Sequence, residues 1–182
     1  MENSSLAERL IEREIFEFYG GLNTMDLPIP THLKDILFPI GDENSEFEVT
    51  GKIKCSCGNE FFEIWESNEQ LIVKAVCKQC KKEFVIFDNG KHGWNGFVCG
   101  DDFLNREMPY NKYNCSNCEN DSHKVIVHIS SQGKEDFVDE CLSNDESFSL
   151  EDWVNAFEWI SISLTCKKCG LTSKEWLDLE TM

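Results

Sequence analysis

Short runs rich in Phe, Ile and Val recur from the middle of the chain to its end, with apolar and polar residues alternating. This two-residue period is typical of β-strands that bury one face. It predicts strands at Phe61–Glu66, Leu71–Cys77, Glu83–Phe87, Lys124–Ile129, Trp159–Thr165 and Trp176–Leu179. Asn68 and Glu69 predict a hairpin turn between the first two strands. The pattern indicates a small α+β protein that is mainly antiparallel β-sheet.

Three segments have helical periodicity instead. Ser4–Tyr19 carries an apolar stripe that Gly20 and Gly21 end, and Thr31–Phe38 follows Pro30 as a short second helix. Both belong to a helical N-terminal extension, which either packs on the neighbouring sheet or docks a partner. Ser149–Phe157 predicts a third helix with a start like a capping box, because Asp152 lies three residues after Ser149.

Ten cysteines are the main chemical feature of this 182-residue chain. The first thirty residues hold no secretory leader, and no apolar run reaches the roughly 18 residues that span a bilayer. We therefore expect a cytoplasmic protein without membrane contact, where metal binding is more common than disulfide bonding. A secreted disulfide protein is the alternative.

Eight of these cysteines form close pairs, as ligands of a tetrahedral metal site must. Two residues separate Cys115 from Cys118, and two separate Cys166 from Cys169. Predicted strands lie between the two pairs. The glycine after Cys169 permits a left-handed turn that frees backbone N–H groups toward sulfur. This spacing predicts one four-cysteine site.

The other two pairs are less regular. One residue separates Cys55 from Cys57, and two separate Cys77 from Cys80. We favour a second four-cysteine site, because the plan repeats and nearby lysines offset thiolate charge. The alternative is that Cys55 does not bind metal and that His92 or Cys99 completes the site.

The order of cysteine pair, strands and second cysteine pair occurs twice, so the chain resembles two copies of one plan. It divides into a helical extension (1–46), a first module (47–98), a linker (99–111) and a second module (112–182) with an inserted helix.

At these cysteines the chain resembles the zinc-ribbon and rubredoxin-like class, in which two cysteine turns at hairpin tips clasp one metal. The resemblance covers roughly residues 50–90 and 112–180 and implies two tandem ribbons with two Zn²⁺ per chain. Rubredoxins hold iron and transfer electrons, and their turns usually carry Pro and Gly beside the cysteines. Here only Gly58 and Gly170 match, so we expect zinc rather than iron.

Several residues outside these pairs carry possible functional groups. The glycine-rich loop with His92, Trp94 and Phe97 predicts either an interaction surface or a linker whose Trp94 packs between the modules. Cys99 and Cys141 are interpreted as ordinary free thiols. His123 and His128 are interpreted as surface or core residues rather than ligands, and His32 has no acidic or cysteine neighbour arranged as a catalytic partner.

The net charge of −17 is concentrated in residues 1–50 and 92–182, whereas residues 51–91 are close to neutral. Such an acidic chain disfavours binding to a phosphate backbone. No phosphate loop, nucleophile elbow or HExxH pair is present, so we do not expect an enzyme. The sequence favours a zinc-binding interaction scaffold or adaptor with a basic protein partner. A nucleic-acid-binding ribbon is the alternative, and rubredoxin-like electron transfer ranks third.

Overall fold

The computed structural model describes residues 26–67, 72–100, 109–144 and 146–181. In these ranges one antiparallel sheet has nine strands: β1 (Leu37–Pro39), β2 (Glu48–Ile53), β3 (Phe62–Ser67), β4 (Ile72–Cys77), β5 (Glu83–Asp88), β6 (Tyr110–Lys112), β7 (His123–Ser130), β8 (Trp159–Cys166) and β9 (Thr172–Glu180). The α-helices are α1 (Gly93–Cys99) and α2 (Lys134–Ser143), and Thr31–Leu33 and Leu150–Val154 are 3₁₀ helices.

The sheet consists of two ladders that share one link. In the larger ladder β7 pairs with β8 on one edge and with β2 on the other, while β1 and β9 lie outside them. In the smaller ladder β3 pairs with β4 and β6, and β5 lies outside β4. The link is the pairing of Phe62 with His123, at the start of β3 and β7.

The sheet mixes strands from different predicted segments, an arrangement we call strand exchange. β2 of the first module precedes the first cysteine pair but pairs with β7 of the second module, and β6, at the end of the predicted linker, pairs with β3 of the first module. One sheet therefore runs through both predicted modules. The mainly antiparallel α+β class is confirmed, and the two tandem ribbons stay a prediction. The domain boundaries at residues 46, 98 and 111 stay predictions.

One hydrophobic core joins both ladders. Alternate residues of the strands are buried in it, as the two-residue period predicts. Its largest members are Phe62, Phe87, Phe157, Leu33, Ile53, Ile64, Ile86, Ile129, Ile160, Ile162 and Leu164. A second, smaller cluster contains Phe137, Val138, Cys141, Trp153 and Ala156. The inserted segment between β7 and β8 thus has its own apolar contacts.

The helical predictions fare differently. The helix predicted at Thr31–Phe38 is wrong beyond Leu33, because only Thr31–Leu33 is helical and Leu37–Pro39 is a strand paired with β2. Pro39 explains the difference, since a proline pushes the residue before it toward extended backbone. The predicted helix Ser4–Tyr19 and the turn at Asn68 and Glu69 lie outside the described residues.

The insertion holds more helix than the sequence predicted. Around Ser149 the capping box is confirmed, since the Asp152 carboxylate accepts the Ser149 N–H at 2.8 Å, but only Leu150–Val154 is helical. The acidic segment before it forms the unpredicted helix α2. The helix α1 was also not predicted, because it lies in the glycine-rich loop and glycine has low helical propensity. Both helices add apolar contacts around Phe137.

Candidate metal centres

The structure brings the eight paired cysteines into two groups of four. We call Cys55, Cys57, Cys77 and Cys80 the first cluster, and Cys115, Cys118, Cys166 and Cys169 the second cluster. In each cluster the four sulfurs lie within 4.8 Å of one another. All ten cysteines of the chain are free thiols, so no disulfide competes with metal binding.

Sulfur spacing in both clusters fits one tetrahedral ion. Sulfur–sulfur distances are 3.5 Å for Cys55–Cys80 and 3.6 Å for Cys57–Cys77, Cys115–Cys169 and Cys118–Cys166. These distances far exceed a disulfide bond of about 2.05 Å. Sulfurs about 2.3 Å from a central zinc would be about 3.8 Å apart. The side chains present therefore fit a metal bound by four sulfur ligands.

The same backbone frame holds both clusters. In each, the N–H of the first cysteine binds the carbonyl of an asparagine, and the N–H of the third cysteine binds the carbonyl of the residue five positions later, which closes a turn. The matched bonds are Cys55 N to Asn59 O and Cys115 N to Asn120 O (2.9 Å each), Cys77 N to Lys82 O and Cys166 N to Leu171 O (2.9 and 2.8 Å), and Lys78 N to Phe61 O and Lys167 N to Ser122 O (3.0 and 2.8 Å). The two clusters are thus copies of one local structure.

An asparagine supports the third cysteine of each cluster. The Asn59 side-chain amide donates to Cys77 Sγ at 3.3 Å, and the Asn120 amide donates to Cys166 Sγ at 3.5 Å. The same amides donate to backbone carbonyls two residues later, which fixes their orientation. Sequence reasoning missed both residues. The signal was present, because an asparagine follows the second cysteine of each cluster by two positions.

Each cluster also has two residues in the left-handed backbone region after its second and fourth cysteines. In the first cluster these are Gly58 (φ +88°) and Lys81 (φ +64°). In the second they are Glu119 (φ +57°) and Gly170 (φ +74°). Only glycine adopts this region without strain, so each cluster has one relaxed and one strained turn.

Hydrogen bonds already polarise the sulfurs. Burial raises the pKa of the Cys77 thiol, but N–H groups of Cys80 and Gln79 and neighbouring side chains outweigh burial and lower the pKa to about 6. In Cys166 the same balance of causes gives a pKa of about 6. Both third cysteines are thus ready to bind a cation as thiolates.

The second cysteines show the opposite shift. The Asn59 N–H lowers the pKa of Cys57, but burial and the three other thiols of the first cluster outweigh it and raise the pKa to about 12. The pKa of Cys118 is raised to about 12 by the corresponding groups of the second cluster. Four adjacent thiolates repel one another, and a bound dication relieves that repulsion.

Ion pairs cross between the predicted modules beside the clusters. Lys78 of the first module and Lys112 of the second both donate to the Asp121 carboxylate at 3.0 Å. The Lys112 and Lys78 ammonium groups lower the pKa of Asp121 to about 2. Lys124 of the second module lies 3.8 Å from Glu60 of the first.

Strand exchange gives each cluster one cysteine pair from each ladder. In the first cluster Cys55 follows β2 of the larger ladder, and Cys77 ends β4 of the smaller one. In the second cluster Cys115 follows β6 of the smaller ladder, and Cys166 ends β8 of the larger one. A metal in either cluster would therefore cross-link the two ladders near Phe62 and His123, where the described residues have their one strand pairing between the ladders.

The predicted interaction loop lies away from both clusters. His92 stacks on His32 at 3.5 Å between ring centroids, and its Nδ1 accepts the Asp88 N–H at 3.1 Å. Trp94 and Phe97 pack on Phe137 of α2, with ring centroids 6.3 and 5.5 Å away. Trp94 therefore packs against the inserted segment. A role of this loop in partner binding stays a prediction.

The remaining thiols and histidines lie outside the sulfur sets. Cys99 is exposed, whereas Cys141 is buried in the smaller apolar cluster, and burial raises the pKa of its thiol. His128 Nδ1 bonds to the Thr50 hydroxyl at 2.9 Å. His123 is buried beside Tyr113, and its ring nitrogens have no hydrogen-bond partner within the described residues. Neither His92 nor Cys99 belongs to the first cluster.

Comparisons with protein-family models, curated proteins and solved structures found no match. The class is therefore defined by the two clusters themselves: the chain is a metal-binding protein with two potential four-cysteine sites, similar to those of zinc ribbons. Among the described helices, none has the length and apolarity needed to cross a membrane.

Proposed function

We infer that the chain is a non-enzymatic zinc-binding protein that serves as an interaction scaffold or adaptor for a protein partner. One observation carries the inference: two matched four-sulfur clusters each take their cysteines from both ladders of the sheet. Metals in these positions hold the fold together, which is the role of structural zinc.

Zinc is the metal that the sulfur sets favour. A tetrahedral set of four thiolates binds zinc or iron, and zinc needs no redox partner. Four protein ligands leave no open position at which the metal could activate water, unlike catalytic zinc sites. This closed ligand set supports a structural role for two Zn²⁺ ions per chain.

A protein partner with a basic surface suits the rest of the molecule. The net charge of −17 attracts basic surfaces and repels acidic ones. Three apolar side chains near β1 are exposed, Phe38 by 44%, Ile40 by 36% and Phe47 by 51%. Exposed apolar groups beside charged residues are frequent features of protein interfaces.

Nucleic-acid binding is the second candidate, because lysines and aromatic rings meet near the clusters. Lys124 and Lys167 lie 5.5 and 4.6 Å from the centre of the Phe61 ring. Several neighbouring lysines are already paired with carboxylates, among them Lys78 with Asp121. The overall negative charge opposes this function further.

The first test measures metal content of the purified chain by elemental mass spectrometry, with circular dichroism before and after a strong chelator. We expect two zinc ions per chain and loss of the β-sheet signal on chelation, because folding and metal binding are coupled. The Cys99→Ser variant is the matched control, and its zinc content should equal that of the unmodified chain.

A second arm tests the scaffold role by capturing partners from the native cell extract on zinc-loaded and chelated protein. A specific protein bound only by the zinc-loaded chain supports the proposal. Iron in place of zinc would favour electron transfer. Salt-sensitive binding to an oligonucleotide, with no protein partner, would overturn the scaffold role in favour of nucleic-acid binding.

A further inference from the structure

A groove of about 700 Å³ lies on the outer face of the larger ladder, opposite the core. Buried Ile160, Ile162 and Leu164 alternate along β8 with half-buried residues that face the groove. The lining contains hydroxyl groups, carboxylates, a tryptophan, an isoleucine, a histidine and a lysine from β2, β7, β8 and β9: Thr50, Ile126, His128, Ser130, Trp159, Ser161, Ser163, Thr172, Lys174, Glu175, Asp178 and Glu180, with Glu158 just before β8.

Carboxylates surround the Trp159 ring at one end of the groove. Trp159 pairs across the ladder with Glu180, and its indole N–H donates to the Asp178 carboxylate at 2.6 Å. Glu158 precedes the tryptophan and also lines the groove. Over the described ranges, no ion pair joins a lysine to these three acids, and the one lysine of the lining, Lys174, lies next to Glu175 further along β9.

The electrostatics at this end favour a cation. Burial raises the pKa of Glu158, and the charges of Glu140, Asp136 and Glu180 raise it further. These carboxylates therefore repel one another in the free protein. A positive group placed among them would relieve the repulsion, and the face of an indole ring attracts such a group as well.

The shape of the groove fits an extended chain. Its lining runs from Trp159 to Thr172, and Thr172 pairs with Thr165, six residues further along β8. At about 3.3 Å per residue this is about 20 Å, the length of about six residues of extended peptide. Hydroxyl groups along this length, such as those of Ser161 and Ser163, offer hydrogen bonds to a peptide backbone.

We propose that this groove binds an extended segment of a partner protein and that a lysine or arginine side chain of the segment lies against Trp159, between Glu158 and Glu180. The proposal rests on the scaffold function and names the surface and the partner chemistry. The acidic end supplies affinity for the cation, and the length of the groove selects an extended segment.

The test titrates the zinc-loaded full chain with a blocked hexapeptide of alternating lysine and serine. Indole N–H signals are followed by nitrogen–proton NMR, and the Trp159→Phe spectrum assigns the Trp159 signal among the five tryptophans. We expect the Trp159 signal to shift far more than the others. A hexapeptide of alternating glutamate and serine should leave it unmoved.

Charge removal inside and outside the groove separates a specific site from general attraction. We expect Glu158→Gln with Glu180→Gln to weaken peptide binding at least tenfold, since both lost charges line the groove. Asp35→Asn with Glu151→Gln removes the same charge from exposed positions outside the groove and should change binding less than threefold. Zinc content and backbone spectra of each variant verify that it is folded.

Equal weakening by both double variants would overturn the groove in favour of general electrostatic attraction. Absence of a selective Trp159 shift would overturn it as well, as would a shift produced by a single-stranded oligonucleotide instead of the basic peptide. If a protein partner is captured equally by the unmodified chain and by the Glu158 and Glu180 variant, the scaffold function stands and the groove fails. If the peptide binds but no zinc is found, the groove stands and the zinc-scaffold function fails.

Discussion

The first cluster places one residue between Cys55 and Cys57, whereas the second places two between Cys115 and Cys118. Despite this difference, both turns present their sulfurs with the same order of burial, the first and third cysteines buried and the fourth exposed. The missing residue shortens the turn between the two cysteines, where the Gly58 N–H binds the Cys55 carbonyl at 2.8 Å. The asparagine two residues after the second cysteine and its hydrogen bond to the third cysteine are the same in both clusters.

The two clusters also use glycine in reciprocal places. The first has glycine after its second cysteine and lysine after its fourth, and the second has glutamate and then glycine. All four positions are left-handed in the structure. The comparison teaches that the hydrogen-bond frame of the turn is preserved when its spacing and its glycines are not.

The strongest way to break the comparison is to remove the first cysteine of each cluster. Cys55→Ser and Cys115→Ser should each reduce zinc from two ions per chain to one, because each removes one of four ligands. We expect each to lower the free energy of unfolding by more than about 4 kcal/mol, as losses of structural metal do. Elemental mass spectrometry and urea unfolding measure both effects.

The comparison depends on whether Cys55→Ser and Cys115→Ser lose the same amount of zinc and of stability. If Cys55→Ser keeps two zinc ions and full stability while Cys115→Ser does not, the one-residue turn does not bind metal through its first cysteine. The exposed Cys99 provides the control substitution, Cys99→Ser, which changes neither value if the clusters alone hold metal.

A milder change sharpens the comparison at the supporting asparagines. Asn59→Ala and Asn120→Ala each remove an amide that donates to a cluster sulfur. Zinc affinity at the altered site should fall about 10- to 100-fold, as with other outer-shell partners of metal ligands. Competition with a chromophoric chelator measures the affinity.

Asn114→Ala provides the matched control, since Asn114 is exposed beside the second cluster. It should leave zinc affinity within about twofold of the unmodified chain. A loss at Asn120 without a loss at Asn59 would mean that the shorter turn orients its sulfurs by other groups.

The smallest expected effects come from the left-handed positions. Lys81→Gly and Glu119→Gly should each raise the free energy of unfolding by up to about 1 kcal/mol, since each relieves a strained backbone. Gly58→Ala and Gly170→Ala should each lower it by about 1 kcal/mol. No atom lies within 4 Å of a Cβ added at either glycine, so backbone strain alone sets the cost.

Urea unfolding of the zinc-loaded chain measures these four variants. Gly41→Ala is the control, because Gly41 is also left-handed (φ +78°) with no atom near an added Cβ, but it lies outside both clusters. It should cost a similar free energy while zinc affinity stays unchanged. A gain at Lys81 without one at Glu119 would show that the two clusters bear strain differently.

Local patterns in the sequence predicted the local structure well. The cysteine spacing predicted two groups of four sulfurs, and alternation in Lys124–Ile129 and Trp159–Thr165 predicted strands that became β7 and β8. These features depend on residues close in sequence, where the period of burial and the geometry of a turn leave few options.

Long-range features could not be predicted in this way. The alternation that buries Val49 and Ile53 in β2 predicts a strand, but it does not specify the partner strand, which is β7 in the structure. The groove was not predicted, because serines and threonines that alternate along a strand are typical of any solvent-exposed face. The helix around Phe137 was missed because its acidic residues hide a narrow apolar stripe.

Strand exchange also bears on how the chain folds as it leaves the ribosome. All four cysteines of the first cluster have been synthesised once residue 80 is added. The strand β7, which pairs with β2, is complete only when residue 130 is added. At about 5–20 residues per second, this delay lasts several seconds. During that interval an early zinc ion would hold the two cysteine turns together while one edge of β2 waits for its partner.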